Sequence, residues 1–430
     1  MTEEGAIWVG LLDMDEGGPV VGVSAPAPVG HQQARVLIRT HRAPLGQVCA
    51  STLPVETFTA RVRTAAETAL AEELRRHARR DNLARELDGS CDWAARAACP
   101  RHFAARNGAG VTMVVCTRDR TEELRRCLHT LQQVSYDPIE IIVVDNAPNG
   151  GTTREAVMAL AHDDPRIRYT CEPCPGLSRA RNHGMARARY DIVAFTDDDT
   201  MVDSGWSSAI AAGFAADADA VCVTGLVGTS ALDTRAERYF DSRYSWGEAF
   251  EPRRYDLATH RHPSRLYPFR ASIFGTGANF AVRRSAITRL GGFDPLLGAG
   301  SPGRGGEDLD MFLRVILAGG RICYLPSALV WHRHRADTLA LGEQIYSYGY
   351  GLGAYVAKHV LNRQLPTTML GHGLRQGGVM VGRMRRATQE SQLRADGTRL
   401  GLTEARGVVA GALRYYRVSR RASSVSSGVQ

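Results

Sequence analysis

The sequence lacks a long hydrophobic run and a recognisable export signal. No stretch reaches the roughly eighteen consecutive apolar residues that a membrane-spanning helix needs. The first residues, MTEEGAIWVGLLDMDEGG, are acidic and do not have the basic-then-apolar order of a signal peptide. We therefore expect a cytoplasmic protein. Peripheral contact with the inner face of the cell membrane stays open as an alternative.

Cysteine spacing and charge exclude further classes. Of the nine cysteines, Cys171 and Cys174 form the one close pair, and no second pair completes a four-ligand zinc site, which favours two thiols in a loop. Lys and Arg number 53 against 45 Asp and Glu, and the excess of +8 is scattered over helical stretches. This distribution favours a solvated surface over nucleic-acid binding. A phosphate-bearing substrate remains compatible with it.

The patterning divides the 430 residues into three parts. Residues 1–107 combine a hairpin pattern with an apolar helical repeat, which predicts a small α+β accessory module. Residues 108–335 alternate short apolar runs with helical stretches, which predicts a doubly wound α/β domain. Its predicted strands are 111–116, 139–145, 166–170, 191–196 and 220–225. Residues 336–430 are predicted to form a helical extension with a disordered tail after Ala422.

Acidic residues stand at the ends of two predicted strands, where ligands of α/β sheets bind. Asp145 ends one strand, and Asp197, Asp198 and Asp199 follow another. Adjacent carboxylates repel one another unless a cation is present, and hard divalent ions such as Mn2+ or Mg2+ take carboxylate oxygens. If this segment is extended, Asp197 and Asp199 face one side and Asp198 the other. A solvated acidic loop is the alternative.

Three further motifs could carry chemistry. Glu307-Asp308 opens a helix after a glycine-rich loop, where a carboxylate could act as a general base or merely complement the helix dipole. His332 and His334 share a predicted strand face, so one of them could bind a metal, although lone histidines are more often structural. Arg179 and Arg181 begin a helix whose N-terminus suits an anion.

The order of the motifs is more specific than any one of them. Between about residues 110 and 335 the chain contains, in succession, VTMVVCTRDR, IIVVDNAP, GLSRARNHGMARA, VAFTDDDT, GANFAVRR, GGFD, GGEDLDMFLR and VWHRHR. This succession resembles the family 2 glycosyltransferases of the GT-A fold, in the actinobacterial type with N- and C-terminal extensions. The resemblance implies an inverting, divalent-metal-dependent transfer from a nucleotide diphosphate sugar, by default a UDP-sugar. The acceptor would be a hydroxyl on a glycan, a lipid-linked sugar or a small molecule.

The resemblance also implies roles for individual residues. Asp308 matches the general base, and Trp206 with the segment 275–279 would shape the sugar and acceptor pockets. The implied metal ligands, to Mn2+ or Mg2+, are Asp197, Asp199 and His332, with Asp199 the foremost. The implied nucleotide-binding residues are Thr117, Asp119, Asp145, Arg179, Arg181, Asp197 and Asp198. Asp119 departs from the family pattern, since many relatives carry asparagine there.

Two other functions stay open at this point. A sugar nucleotidyltransferase also combines an α/β domain with metal-binding carboxylates, but it usually has a glycine-rich loop after its first strand, and residues 116–120 (CTRDR) contain no glycine. A non-catalytic nucleotide-sugar-binding protein could keep the same fold. Against it stands the presence of every acid that the transfer requires.

The last helical stretch leaves the membrane question open. It places basic and aromatic side chains beside apolar ones, a combination that suits an anionic membrane surface. Packing against the catalytic domain is the alternative. The residues concerned are Val408, Val409, Leu413, Arg414, Tyr415, Tyr416, Arg417, Arg420 and Arg421.

Overall fold

The structure is a computed structural model that describes residues 5–15, 17–80, 108–244, 249–364 and 391–426. The chain begins with a four-stranded sheet of order β2-β1-β3-β4, followed by two helices. The predicted hairpin is the β3–β4 pair, and its two turn residues, His41 and Arg42, both have positive φ angles, as a tight hairpin turn requires. The elements are β1 Ile7–Asp13, β2 Val21–Gly22, β3 Gln33–Thr40, β4 Ala43–Ser51, α1 Phe58–Ala69 and α2 Ala71–Arg80.

Both faces of this small sheet are covered. Side chains of a strand alternate between faces, so Trp8 packs towards Phe58 of α1 while its neighbour Val9 points the other way. Val9 and Leu37 pack against Trp331 and its neighbours in the larger domain. Arg39 adds ion pairs to Asp13 and Asp203. The N-terminal module is therefore packed onto the larger sheet.

The larger domain is built on a nine-stranded sheet of order β11-β13-β10-β12-β8-β5-β6-β7, with β9 paired to β13. Strands β5 to β8 are parallel, whereas β12 runs antiparallel to both β8 and β10. The predicted doubly wound mixed α/β fold is therefore confirmed. The strands are β5 Val111–Thr117, β6 Ile139–Asn146, β7 Ile167–Glu172, β8 Ile192–Asp197, β9 Thr200–Val202, β10 Ala220–Thr229, β11 Arg253–Tyr255, β12 Asn279–Arg283 and β13 Arg321–His332.

Helices cover both faces of this sheet, which explains why its strands are almost continuously apolar. One core contains Leu124, Ile141 and Trp206, and the other contains Phe195 and Phe312. In the parallel register Thr117 lies beside Asp145, and the acidic end of β8 lies at the same edge. The helices are α3 Thr121–Gln132, α4 Thr152–Asp163, α5 Leu177–Arg187, α6 Trp206–Ala216, α7 Arg235–Tyr244, α8 Arg284–Arg289 and α9 Glu307–Leu317.

The C-terminal region is a pair of long helices, α10 Thr338–Leu361 and α11 Ser391–Ser426. Glycines let their backbones approach closely: a Cβ added at Gly411 would lie 1.9 Å from the carbonyl oxygen of Tyr350. Helix α11 continues through residues 423–426, which the sequence predicted to be disordered, because serine lowers helix propensity only modestly. Residues 427–430 lie outside the described residues. Among the helices that the structure describes, none has the length and hydrophobicity to cross a membrane.

Candidate active site

The three aspartates form a turn, not the extended segment that was predicted. Asp197 ends β8, and Asp198 and Asp199 lead into β9, which reverses direction to pair with β13. Asp198 is buried: its Oδ2 accepts a hydrogen bond from Thr117 Oγ1 at 2.7 Å, and its Oδ1 accepts one from Arg120 Nη1 at 2.6 Å. Arg120 also donates to Asp199 Oδ2 at 3.0 Å. Asp198 and Asp199 therefore share Arg120, and Asp198 is also bonded to Thr117.

His332 lies against this turn because β13 pairs with β9, which sets His332 opposite Thr200. Its Nε2 is 3.3 Å from Asp199 Oδ1. Burial would lower the pKa of His332, but the charge and hydrogen bond of Asp199, together with the charge of Asp197, outweigh burial and raise that pKa. Burial alone would raise the pKa of Asp199, but His332 and Arg120 together outweigh burial, so the pKa of Asp199 is lowered. The two side chains thus form a buried, oppositely charged pair.

His334 does not share this position, contrary to the predicted common strand face. Strand β13 ends at His332, and the His334 ring turns towards Thr229 Oγ1 at 3.0 Å and the ring of Phe240. Its burial and the nearby charge of His332 lower its pKa to about 3, which keeps the imidazole neutral. His332 is therefore the histidine that meets the acidic turn.

The acidic turn could bind a metal ion whose remaining coordination positions are filled by a bound phosphate group and by water. Within the described residues, no group of three or more Asp, Glu, His or Cys side chains is arranged to hold a metal. Asp197, Asp199 and His332 therefore do not form a closed three-ligand site. The 3.3 Å between Asp199 Oδ1 and His332 Nε2 nevertheless allows both atoms to bind one ion. Ions such as Mg2+ commonly take one or two protein ligands and complete their shell with water and phosphate oxygens.

Arg181 joins the acidic turn to the helix that carries Asp308. Arg181 was predicted to line an anion-binding nucleotide site at the start of its helix. In the structure its side chain is buried beside the rings of Phe195, Phe280 and Phe293. Its Nη1 donates to Glu307 Oε1 at 2.9 Å, and its Nη2 lies 3.4 Å from Asp197 Oδ1. Arg179, two residues earlier on α5, is exposed.

The two acids at the start of α9 differ in environment. Glu307 is buried, and burial raises its pKa to about 7 against the opposing charge of Arg181. Asp308 is partly exposed, and its Oδ1 accepts a hydrogen bond from the N–H of Leu309 at 2.8 Å. A Cβ added at Gly277 would stand 3.0 Å from Asp308 Oδ2. The missing side chain at Gly277 therefore leaves space beside this carboxylate.

A buried acceptor without a partner lies at the end of β6. Asp145 is fully buried, its Oδ2 accepts from the Tyr169 hydroxyl at 3.0 Å, and its Oδ1 has no hydrogen-bond partner among the described residues. Burial raises the pKa of Asp145. A buried polar atom left unsatisfied is costly, so a bound hydroxyl or N–H donor would stabilise it. Asp119, with a positive φ, instead accepts from the N–H of Asn149 at 3.0 Å and so joins two loops at this edge.

Two residues with clear places in the site carried no assigned role in the sequence analysis. Arg120 bridges two of the aspartates, and the two arginines in the loop after β5, Arg118 and Arg120, were the available signal. Glu307 pairs with Arg181, and nothing in the sequence around Glu307 indicates that it is buried.

Trp206, which was predicted to shape a pocket, is fully buried and donates from Nε1 to Asn279 Oδ1 at 2.8 Å. Both residues support the sheet interior, so the prediction that Trp206 shapes a sugar or acceptor pocket is wrong.

The larger domain is therefore an α/β domain with three acidic features at one edge of its sheet. They are the turn of Asp197 to Asp199, the buried acceptor Asp145 and the separate carboxylate Asp308. Residues 112–291 match the family model described as Glycosyl transferase family 2. The resemblance drawn from the motifs is therefore confirmed over this segment of the chain.

Two named relatives and one solved structure are similar to this chain. The chain is 29% identical over 243 residues to the pre-mycofactocin glycosyltransferase of Mycobacterium tuberculosis (strain H37Rv), covering 56% of this chain and 47% of that protein. It is 23% identical over 228 residues to a glucosyl-dolichyl phosphate glucuronosyltransferase of Haloferax volcanii, covering 52% and 69%. The first match thus spans about half of the relative's length. A mannosyltransferase from Pyrobaculum calidifontis, solved with GDP-Man and Mn2+, aligns at a TM-score of 0.48 and 18% identity over 72% of this chain and 88% of that one.

Proposed function

We propose that this protein is an inverting glycosyltransferase that moves a sugar from a nucleotide diphosphate sugar to a hydroxyl acceptor with the help of a divalent metal. The observation that carries the proposal is the chain of contacts through Arg181. It places the acidic turn, with the pair of Asp199 and His332, on one side and the Glu307-Asp308 helix start on the other. A transfer between two substrates needs a group that serves the donor and a group that serves the acceptor within reach of each other.

The donor would bind across the ends of β5, β6 and β8. The unpartnered Oδ1 of Asp145 would accept a hydrogen bond from the ribose or base. Mn2+ or Mg2+ would be held by Asp199 and His332, with Asp197 beside them, and would neutralise charge on the diphosphate. Arg120 is placed to exchange its contact with Asp199 for a phosphate oxygen, because guanidinium groups bind either anion. A uridine nucleotide is the default donor.

The acceptor would bind beside Asp308. Its hydroxyl gives its proton to the Asp308 carboxylate while the oxygen attacks the anomeric carbon from the face opposite the nucleotide. The new carbon–oxygen bond forms as the bond to the diphosphate oxygen breaks, so nucleoside diphosphate leaves with the bonding electrons. A single displacement of this kind inverts the anomeric configuration. Glu307, buried against Arg181, positions the helix start without facing the acceptor.

The test is a panel of uridine, guanosine and thymidine diphosphate sugars, screened by thermal shift with and without Mn2+. One donor should stabilise the protein in a metal-dependent way, and incubation should release nucleoside diphosphate and give a product of inverted anomeric configuration by NMR. Release of pyrophosphate from a sugar phosphate and a nucleoside triphosphate would instead identify a nucleotidyltransferase. Binding without donor hydrolysis or transfer above background would identify a non-catalytic binding protein.

A further inference from the structure

The outer side of α11 carries a stripe of exposed apolar side chains. Leu402 is 59% exposed, Val409 61%, Leu413 52% and Tyr416 42%. Spacings of seven, four and three residues place all four on one helix face. From Leu402 to Tyr416 the stripe is about 21 Å long, at 1.5 Å of rise per residue. We call it the outer face of α11.

The opposite side of the same helix is packed, so the exposure is specific to one face. Gly407 and Gly411 lie against the backbone of α10, and Tyr415 is buried with its hydroxyl 3.1 Å from Asp294 Oδ2. Of the residues grouped from the sequence as a membrane-binding set, Tyr415 therefore belongs to the packed side. Leu402, which that set did not contain, belongs to the outer face. Packing on the catalytic domain and an exposed apolar face thus coexist on one helix.

Positive charge surrounds the outer face. Between residues 397 and 421 the sequence contains six arginines and a single acid, Glu404. Glu404 forms an ion pair with Arg243 of α7 and so points towards the protein. Arg406, Arg417 and Arg420 are exposed within about 60° of the apolar stripe, at 100° of rotation per residue. The outer face is therefore apolar along its middle, with Arg406 and Arg417 along one side and Arg420 beyond its C-terminal end.

Single exposed apolar residues are ordinary, but a continuous row flanked by arginines requires an explanation. A small anion would engage one or two arginines and would leave a stripe of this length in water. A membrane surface supplies many phosphates in one plane and acyl chains beneath them, which matches both components over the whole length.

We propose that the outer face of α11 binds the surface of an anionic phospholipid membrane, with the helix lying parallel to it. The helix pair also contacts the loop that precedes α9: a Cβ added at Gly351 of α10 would stand 2.8 Å from Gly305. Docking would thus hold the side of the catalytic domain that carries Asp308 at a fixed position relative to the lipid. The significance of that position rests on the proposed function, whereas the docking itself does not.

The test is co-sedimentation of the full chain with vesicles of phosphatidylcholine, with and without phosphatidylglycerol, at low and at high salt. The protein should sediment with the anionic vesicles at low salt and be released by high salt. Leu413→Asp should lower the partition coefficient roughly ten-fold, since it places a charge in the apolar stripe. Met158→Asp is the matched control, because Met158 is 52% exposed on α4 of the catalytic domain.

A second pair of variants separates local from overall charge. Arg406→Glu combined with Arg417→Glu should lower the partition coefficient about 25-fold or more, at about five-fold for each basic residue near an anionic surface. Arg125→Glu with Arg126→Glu on α3 changes the net charge equally and should shift it less than about three-fold.

Three results would overturn the proposal. The first is no sedimentation of the wild type with anionic vesicles at low salt. The second is an equal loss of binding in the two pairs of variants, which would show general charge attraction. The third is a wild-type dimer in sedimentation velocity that Leu413→Asp makes monomeric without changing vesicle binding, which would assign the face to a second copy of the chain. Thermal unfolding of each variant shows that the fold is retained. Donor hydrolysis, measured without vesicles, reports on the proposed function separately.

Discussion

Replacing Arg181 by methionine would remove the cation that lies between the acidic turn and the start of α9. Methionine fills a similar volume, so the change mainly removes charge and hydrogen bonds. Glu307 would then be a buried carboxylate without its partner at 2.9 Å, and Asp197 would lose its neighbour at 3.4 Å. The contacts of the guanidinium with three phenylalanine rings, at 5.2–5.9 Å, would be lost as well.

Breaking a buried ion pair from one side costs about 3–5 kcal/mol, because it leaves an uncompensated charge. For a domain of about 200 residues, a loss of this size in the free energy of unfolding corresponds to a fall in Tm of roughly 6–20 °C. Arg179→Met on the same helix is the matched control and should change Tm by less than about 2 °C, because surface substitutions have small effects. The assay is thermal unfolding followed by circular dichroism.

The loss of stability in Arg181→Met should depend on pH and on the charge of Glu307. The pKa of Glu307, about 7, lies above its ordinary value, so the ionised carboxylate opposes folding and stability falls as pH rises towards and through 7. Without Arg181 that pKa rises further, so Arg181→Met should cost less at pH 6 than at pH 8. Adding Glu307→Gln should recover part of the loss, since it removes the unpaired charge. An Arg181→Met variant no less stable than Arg179→Met, or no recovery from Glu307→Gln, would refute the reasoning.

The remaining predictions concern the metal site and the C-terminal helices. His332→Ala should raise the Mn2+ concentration for half-maximal activity roughly ten-fold, whereas His334→Ala should have a smaller effect, and equal effects in a metal titration would contradict the assignment. Lys358, whose Nζ lies 2.8 Å from Asp294 and 2.7 Å from Asp310, holds α10 against α9. Lys358→Met should lower the free energy of unfolding by about 3 kcal/mol in denaturant titrations, and a free energy of unfolding unchanged from wild type would show that the ion pairs do not hold these helices.

Much of the large domain could be predicted because its strands are short runs of apolar residues covered on both faces. Strand β1 of the N-terminal module follows the same rule. IWVGLL, residues 7–12, is almost continuously apolar, and the structure shows why: Trp8 faces α1 and Val9 faces the larger sheet. A strand of a small module that alternates less than expected therefore indicates a second packing partner.

Some residues of the candidate site could be predicted from the sequence and others could not. The acids at strand ends could be found from sequence because position in a parallel sheet determines where they lie. The burial of Arg181 could not, since its aromatic surroundings come from β8, β12 and the loop before α9, which meet only in the folded chain. The pocket role predicted for Trp206 was wrong for a similar reason. The position of a tryptophan next to an acidic motif does not show whether its side chain is buried in the folded chain.

Turnover by Asp308→Asn shows whether Asp308 takes the proton of the acceptor hydroxyl. The Asp308 carboxylate is partly exposed, and its one hydrogen bond among the described residues is to its own helix, so the substitution should leave the fold intact. We expect a fall in kcat of about two to four orders of magnitude, with donor affinity by calorimetry and Tm both unchanged. A kcat within about three-fold of wild type under the same conditions would contradict it.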